Sequence, residues 1–191
     1  PYQWDAIDYA LLNPSKMVGI CAPPGIGKSL IAVSVAILMS PHGRSAIMTS
    51  TKAHQDQVLA EFGGVRGLAD IRGHNAYICE PRVGELGEWE CSWGERCPYL
   101  EARKRAGEAR IILTNYAFWV ADRCYSQRPI TTGIKTLCMD EADLAFSDIG
   151  NAMKVSLSRS FLKRVVDLWP ENEGLGVDDW VRHVHGIQSL A

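Results

Sequence analysis

The chain has 191 residues, 47% of them hydrophobic and 22% charged, with a formal net charge of −2. Those are ordinary globular values for one domain, or one domain with a small appendage. The near-zero charge neither demands nor excludes nucleic acid. No basic-then-apolar leader opens the chain and no apolar run reaches the roughly 18 residues of a bilayer span, so neither secretion nor a membrane helix is supported. The expected compartment is cytosolic and reducing, where the six cysteines are thiols or metal ligands rather than disulfides. The chain begins at Pro1 and neither end carries a start or stop feature, so it is expected to be a fragment.

In chain order, Trp4, Ile7, Ala10 and Leu11 recur at helical spacing before Asn13-Pro14 stops the segment. The apolar run Met17 to Cys21 predicts a buried strand, and Leu30 to Met39 a helix, with Ser40-Pro41-His42-Gly43 as a turn. Ala46 to Thr49 reads as a second strand, and Lys52 to Phe62 as a helix closed by Gly63-Gly64. Strand, helix, strand, helix is the signature of a parallel sheet with covering helices. From about Ile71 to Pro98 that rhythm breaks into Gly, Trp, Glu and Cys, a loop-rich insertion too poor in apolar residues to hold itself without a staple. A helix over Tyr99 to Ala109, a strand over Arg110 to Thr114, a short helix from Asn115 to Val120 and a strand over Thr136 to Met139 resume the α/β pattern. Beyond Asp140-Glu141 the chain reads as helical: Val155, Phe161, Leu162, Val165, Val166 and Trp169 form a stripe ended by Pro170, and a last helix carries Trp180, Val181, Val184 and Ile187. No repeats or low-complexity tracts appear.

Between the first strand and its helix lies Ala22-Pro23-Pro24-Gly25-Ile26-Gly27-Lys28-Ser29. A phosphate-binding loop requires that context: glycines let backbone N–H groups converge on phosphate oxygens and the helix N-terminus adds partial positive charge. The lysine reaches the β and γ phosphates and the serine hydroxyl holds Mg²⁺. Gly25, Gly27, Lys28 and Ser29 fit those roles, Pro24 and Ile26 belong to the same expected nucleotide-binding loop, and Ala22 stands where the usual first glycine would be. About a hundred residues on, Leu137-Cys138-Met139 runs into Asp140-Glu141-Ala142-Asp143. A carboxylate at the end of a buried strand is placed to hold the metal, and the next one to orient and deprotonate the attacking water. That assigns Asp140 to magnesium and Glu141 to the base.

With these residues the sequence resembles a superfamily 2 helicase, whose acidic motif is Asp-Glu-Ala-Asp. Thr49-Ser50-Thr51-Lys52 through Gln57 resembles the segment that grips the single-strand backbone, and Gln3 lies where an adenine-reading glutamine is found in such proteins. Arg72-Gly73-His74-Asn75-Ala76-Tyr77-Ile78-Cys79, then Cys97-Pro98-Tyr99, then Ile112-Leu113-Thr114-Asn115-Tyr116-Ala117 make the order similar to the iron-sulfur helicases of the XPD and DinG type, phage relatives included. The resemblance covers residues 1 to about 150. It implies a RecA-like P-loop NTPase fold, with motor-domain residues 1–70 and 100–145, a cysteine-rich insertion 71–99 and a helical insertion beginning at 146–191. It also implies ATP with Mg²⁺, an ATP-dependent DNA helicase moving 5′-to-3′ on single-stranded DNA, contacts from Thr51, Gln57, Asn115 and Tyr116, and a second RecA-like domain supplying an arginine finger.

Two features depart from that family. Its cluster has four cysteine ligands, whereas this insertion holds three, Cys79-x11-Cys91-x5-Cys97, and its acidic motif usually ends in His where Asp143 stands. Thiolates suit an iron-sulfur cluster and structural zinc alike, and His74, Cys124 or an outside group could be the fourth ligand. Cys21 and Cys138 read as small core hydrophobes. Trp89, Trp93, Arg96, Tyr99 and Arg103 interleave aromatic and basic groups as single-strand binders do, though the same aromatics could simply pack the insertion. Two other functions stay open: a P-loop ATPase that remodels protein or translocates duplex DNA with a zinc-binding insertion, and an ATP-holding nucleic-acid-binding module without turnover.

Overall fold

The computed structural model describes residues 2–78, 81–83, 89–91 and 97–154, with only the backbone considered in the two short middle pieces. The expected helices beyond residue 154, with Trp169 and Trp180, lie outside the described residues, as do Cys79, Trp93 and Arg96.

Helix α1 spans Tyr2–Leu12, α2 Lys28–Met39 and α3 Lys52–Phe62, with strand β1 (Arg44–Thr49) between the last two and β2 (Leu68–Asp70) after them. A hairpin of β3 (Pro81–Val83) and β4 (Trp89–Cys91) follows, then α4 (Pro98–Glu108), β5 (Ile111–Asn115), α5 (Tyr116–Tyr125), β6 (Ile134–Met139) and α6 (Ala145–Met153). Four strands form a parallel sheet in the order β2-β5-β1-β6.

The sheet sorts its side chains by the two-residue period of a strand. Ile47 of β1 lies beside Leu113 of β5, and both pack with Ile111 against Val33 and Ala36 of α2 and Val58 of α3. Their neighbours Ala46 and Ile112 point the other way, onto Ala102 and Ala106 of α4 and Phe118 of α5. Helices thus cover both faces, which is why β1 and β5 read as continuous apolar runs. Ile111, Ile112 and Leu113 are fully buried, and each such side chain stabilises the fold by about 1.5–3 kcal/mol.

At the start of β1 the half-buried Arg44 guanidinium donates to the carbonyls of Ala106, Ala109, Ile130 and Thr132. It ties the end of α4 to the loop that feeds β6. Burial lowers its pKa from the usual arginine value, the expected direction for a cation taken from water.

Three expectations need correction. Met17 to Cys21 forms no strand: Met17 is 89% exposed, Cys21 is exposed rather than a core hydrophobe, and the sheet ends at β6. A short apolar run marks a strand only where an edge is available to pair with it, and the run itself carries no information about that edge. The short edge strand β2 and the β3–β4 hairpin were not foreseen, because three-residue strands show no period. Helix α5 continues to Tyr125 instead of stopping at Val120. Cys138 does pack beside the Ile47 cluster, and burial pushes its thiol pKa up to about 11.

Candidate active site

The loop that precedes α2 turns on two glycines in the left-handed region, Gly25 at φ 83° and Gly27 at φ 87°. Gly27 is also the N-cap of α2 and gives it no side-chain cap, so among the described residues the first amides of the helix have no side-chain acceptor, as anion binding requires. A Cβ on Gly27 would sit 2.7 Å from Gln3 Nε2, and that amide donates to Ile26 O at 2.9 Å. Gln3 of α1 therefore braces the loop directly. Among the described residues Lys28, half-buried, has no ion-pair partner.

Beside this loop β6 ends at Met139, and the backbone N–H of Asp140 still follows the sheet, donating to Met48 O at 2.9 Å. Its carboxylate, 7% exposed, receives the Glu141 N–H on Oδ1 and Ser29 Oγ at 3.3 Å on Oδ2, a contact that closes 111 residues of sequence. Two hard oxygens converging at the mouth of a phosphate loop suit Mg²⁺, which takes oxygen ligands and keeps several waters. Ser29 and Asp140 are the residues that would hold it. When bound there it neutralises charge on the β and γ phosphates.

Glu141 adopts φ 53°, a costly conformation for a residue with a side chain and one that collects at functional sites. Its carboxylate accepts from Ser50 Oγ, just past β1. His54, on the first turn of α3, was not singled out in the sequence. Its Nε2 lies 3.3 Å from Asp140 Oδ2 and 3.5 Å from Ser29 Oγ, and its Nδ1 lies 3.8 Å from Glu141 Oε2. Tyr116, fully buried, donates its hydroxyl to Asp140 O at 2.8 Å. Burial first, then the charges of Asp140, Asp148, Glu141 and Asp143, push its pKa up to about 12.

The expected nucleic-acid residues divide into two pairs. Thr51 and Gln57 are exposed on the start of α3, where Thr51 Oγ1 caps the helix by accepting from His54 N–H at 3.1 Å. Asn115 and Tyr116 are buried: Asn115 Oδ1 caps α5 and its amide donates to Gln55 Oε1 at 2.9 Å. Gln55, also unforeseen and fully buried, donates in turn to Asp70 and to the carbonyls of Ile71 and Leu113. Burial raises the Asp70 pKa even though Arg72 and Gln55 oppose it.

Of the cysteine set, Cys97 is buried at the N-cap of α4, Cys91 is described by its backbone alone and Cys79 not at all. Among the described residues no group of three or more His, Cys, Asp or Glu is arranged to hold a metal ion. His74 packs edge-on against Tyr99 with ring centroids 5.2 Å apart, while Cys124 is exposed on α5. Arg103 is engaged within the protein, pairing with Asp122 at 3.0 Å and donating to Ser126 and to Arg128 O. Its charge holds α4 to α5 instead of standing free for a polyanion.

A phosphate loop joined to a strand-end carboxylate on a RecA-like parallel sheet defines an ATP-hydrolysing P-loop domain. The chain matches the family described as DEAD/DEAH box helicase over residues 1–166 and belongs to it. No curated protein and no solved structure matches the chain. Membership makes it a superfamily 2 motor domain, a nucleic-acid-dependent ATPase that works with ATP and Mg²⁺. No described helix is long and apolar enough to cross a membrane.

Proposed function

We propose that this chain is the first motor domain of an iron-sulfur DNA helicase, hydrolysing ATP to move along single-stranded DNA. The observation that carries the reading is the meeting of Ser29 and Asp140 at 3.3 Å beside an exposed α3 start. It supports the reading because the groups assigned to hydrolysis then lie next to a surface that can meet a nucleic-acid backbone. In this reading Lys28 holds the phosphates, Ser29 and Asp140 hold the metal, and Glu141 orients the water. Gln3 faces the adenine while bracing the loop. Thr51 and Gln57 meet the single strand, with Asn115 supporting them through Gln55 and Tyr116 steadying Asp140. A second RecA-like domain completes the site with an arginine.

The insertion 71–99 carries the metal in this proposal, with Cys79, Cys91 and Cys97 as ligands of an iron-sulfur cluster. Support comes from the hairpin register, which sets Cys91 opposite Pro81 and so folds this part of the insertion back on itself. His74 is the fourth ligand we favour, since its ring partner Tyr99 follows Cys97 by two residues in sequence.

The test is ATP hydrolysis by the full-length protein with no nucleic acid, with oligo-dT and with duplex. Stimulation by oligo-dT is expected, and Glu141→Gln should keep Mg²⁺-ATP bound while slowing hydrolysis by about 10²- to 10⁴-fold. Turnover indifferent to DNA would instead mark a remodelling ATPase, and ATP binding without turnover a binding module. Anaerobically purified protein should be brown with visible absorption; colourless protein containing zinc would replace the cluster with zinc.

A further inference from the structure

The first turn of α3 carries two sets of side chains. Thr51, Lys52, Ala53, Asp56 and Gln57 are exposed, whereas His54, Gln55 and Val58 turn inward, the three-to-four-residue spacing of one helix face. On that inner face only His54 points at the hydrolytic groups. Its ring touches Ser29 of the phosphate loop, Asp140 of the metal site and the neighbourhood of Glu141, three groups from three separate parts of the chain.

One atom of that ring is unspent. His54 Nδ1 is buried without a hydrogen-bond partner among the described residues, and the acceptor it faces, Glu141 Oε2, stands just out of reach at 3.8 Å. Buried polar atoms are nearly always satisfied. A closing shift of roughly 0.6 Å would bring this pair into the ordinary range of about 2.7–3.2 Å. Catalytic hydrogen bonds are often long before ligands bind and tighten afterwards.

The exposed and inward sets are joined at Thr51, whose carbonyl accepts the Gln55 N–H at 3.0 Å. Thr51 Oγ1, proposed above to meet the nucleic-acid backbone, accepts the His54 N–H at 3.1 Å. Gln55, next in sequence, pins the same turn to β2 and β5, so the turn responds as a unit. Ser50, just before it, already holds Glu141 through its hydroxyl.

We propose that His54 is a positioning residue that couples the two ligands of the motor: nucleic acid on the outer face of α3 moves Nδ1 onto Glu141, which then points at the attacking water. This rests on the assignment of single-strand contact to Thr51 and Gln57. His54 donates no proton to substrate and touches no reacting atom; it sets the direction of the carboxylate that does.

The experiment measures coupling by binding alone. The affinity of a short fluorescent oligo-dT is determined with and without Mg²⁺ and a non-hydrolysable ATP analogue, for wild type and for His54→Leu, His54→Asn and His54→Gln. Wild type should show an effect of about tenfold, within the usual span of coupling between sites. His54→Leu should abolish it while oligo-dT affinity without nucleotide stays within about twofold. His54→Asn, which keeps a donor near Nδ1, should restore the coupling; His54→Gln, which reaches only toward Nε2, should not. In wild-type protein the ring ¹⁵N signals of His54 should shift when oligo-dT is added without nucleotide, a readout that needs no variant to fold. Coupling that survives in His54→Leu, rescue by Gln in place of Asn, or ring signals indifferent to bound oligo-dT would overturn the role of His54. Wild type that binds no oligo-dT would overturn the single-strand reading itself, and the coupling with it.

Discussion

The two ends of β1 treat their charged and catalytic-type groups differently. At its amino end Arg44 donates to four carbonyls, and the one open group beside it is the buried Ser45 hydroxyl, which has no partner among the described residues. At its carboxyl end, beside the end of β6, groups are left open: α2 starts without a side-chain cap, among the described residues Lys28 has no ion-pair partner and His54 Nδ1 no hydrogen-bond partner, and Glu141 holds a positive φ. Satisfied polar groups stabilise, and unsatisfied ones store binding capacity at a cost that the rest of the fold must offset. Ligands of open α/β sheets bind at the carboxyl ends of the strands, and here that end is also where local rules are broken. Changes at the open end should therefore alter binding and turnover with little effect on stability, and changes at the closed end should do the reverse.

Lys28→Ala is the sharpest way to break that contrast. Lys28 has no ion-pair partner among the described residues, and in the proposed function it serves the nucleotide and not the fold. ATP affinity or turnover should fall by about two orders of magnitude or more, since a point charge on the phosphates is lost. The melting temperature should stay within about 2 °C. Calorimetric titration with ATP and a thermal melt check both halves. A variant that unfolds, or one that binds and hydrolyses ATP as wild type does, would place Lys28 elsewhere in the scheme.

The legibility of the molecule follows the same division. The turn at Gly25 and Gly27 and the position of Asp140-Glu141 just past β6 were readable because such patterns need particular residue types at fixed local spacing, and β1, β5, β6 and α3 because each is an apolar or periodic run bounded by glycines or polar residues. His54 was not readable: its partners Ser29 and Asp140 lie far away in sequence, and a histidine early in a helix looks like a surface residue. Gln55 was hidden for the same reason, since nothing local marks a glutamine as buried. Asn115 and Tyr116 drew attention through resemblance, which locates a motif but not which of its side chains face inward. The unpaired run Met17 to Cys21 shows the complementary limit, because hydrophobicity specifies burial without naming the neighbour that provides it.

Arg44→Met tests the closed end and carries the next largest effect. Methionine keeps most of the side-chain volume but leaves the carbonyls of Ala106, Ala109, Ile130 and Thr132 without their donor. Losing a charged donor that serves several part-buried acceptors should cost about 2–4 kcal/mol, read as a lower urea midpoint at unchanged slope. Arg44→Lys should recover only part of it, because an ammonium cannot reproduce the planar fork. Nucleotide affinity of the folded protein should be unchanged. A midpoint equal to wild type would mean that water replaces the guanidinium at little cost.

Tyr116→Phe addresses the seam between the two regions, where a core side chain touches the site by a single bond. Removing the hydroxyl frees Asp140 O from its donor, at a cost of about 1 kcal/mol near neutral pH. The pH dependence separates this residue from its neighbours. Burial and the surrounding carboxylates raise the folded-state pKa to about 12, above the unfolded value near 10. The contribution is therefore fully present below pH about 10 and is lost as the pH rises toward 12, because the unfolded chain gives up its proton first. The phenylalanine variant has no such proton, so the gap in stability between it and wild type should narrow between pH about 10 and 12 and then reverse in sign. Chemical denaturation across that range supplies the curve. A gap that stays constant with pH would mean that the Tyr116 hydroxyl ionises as easily in the folded protein as outside it, and that its bond to Asp140 leaves room for water.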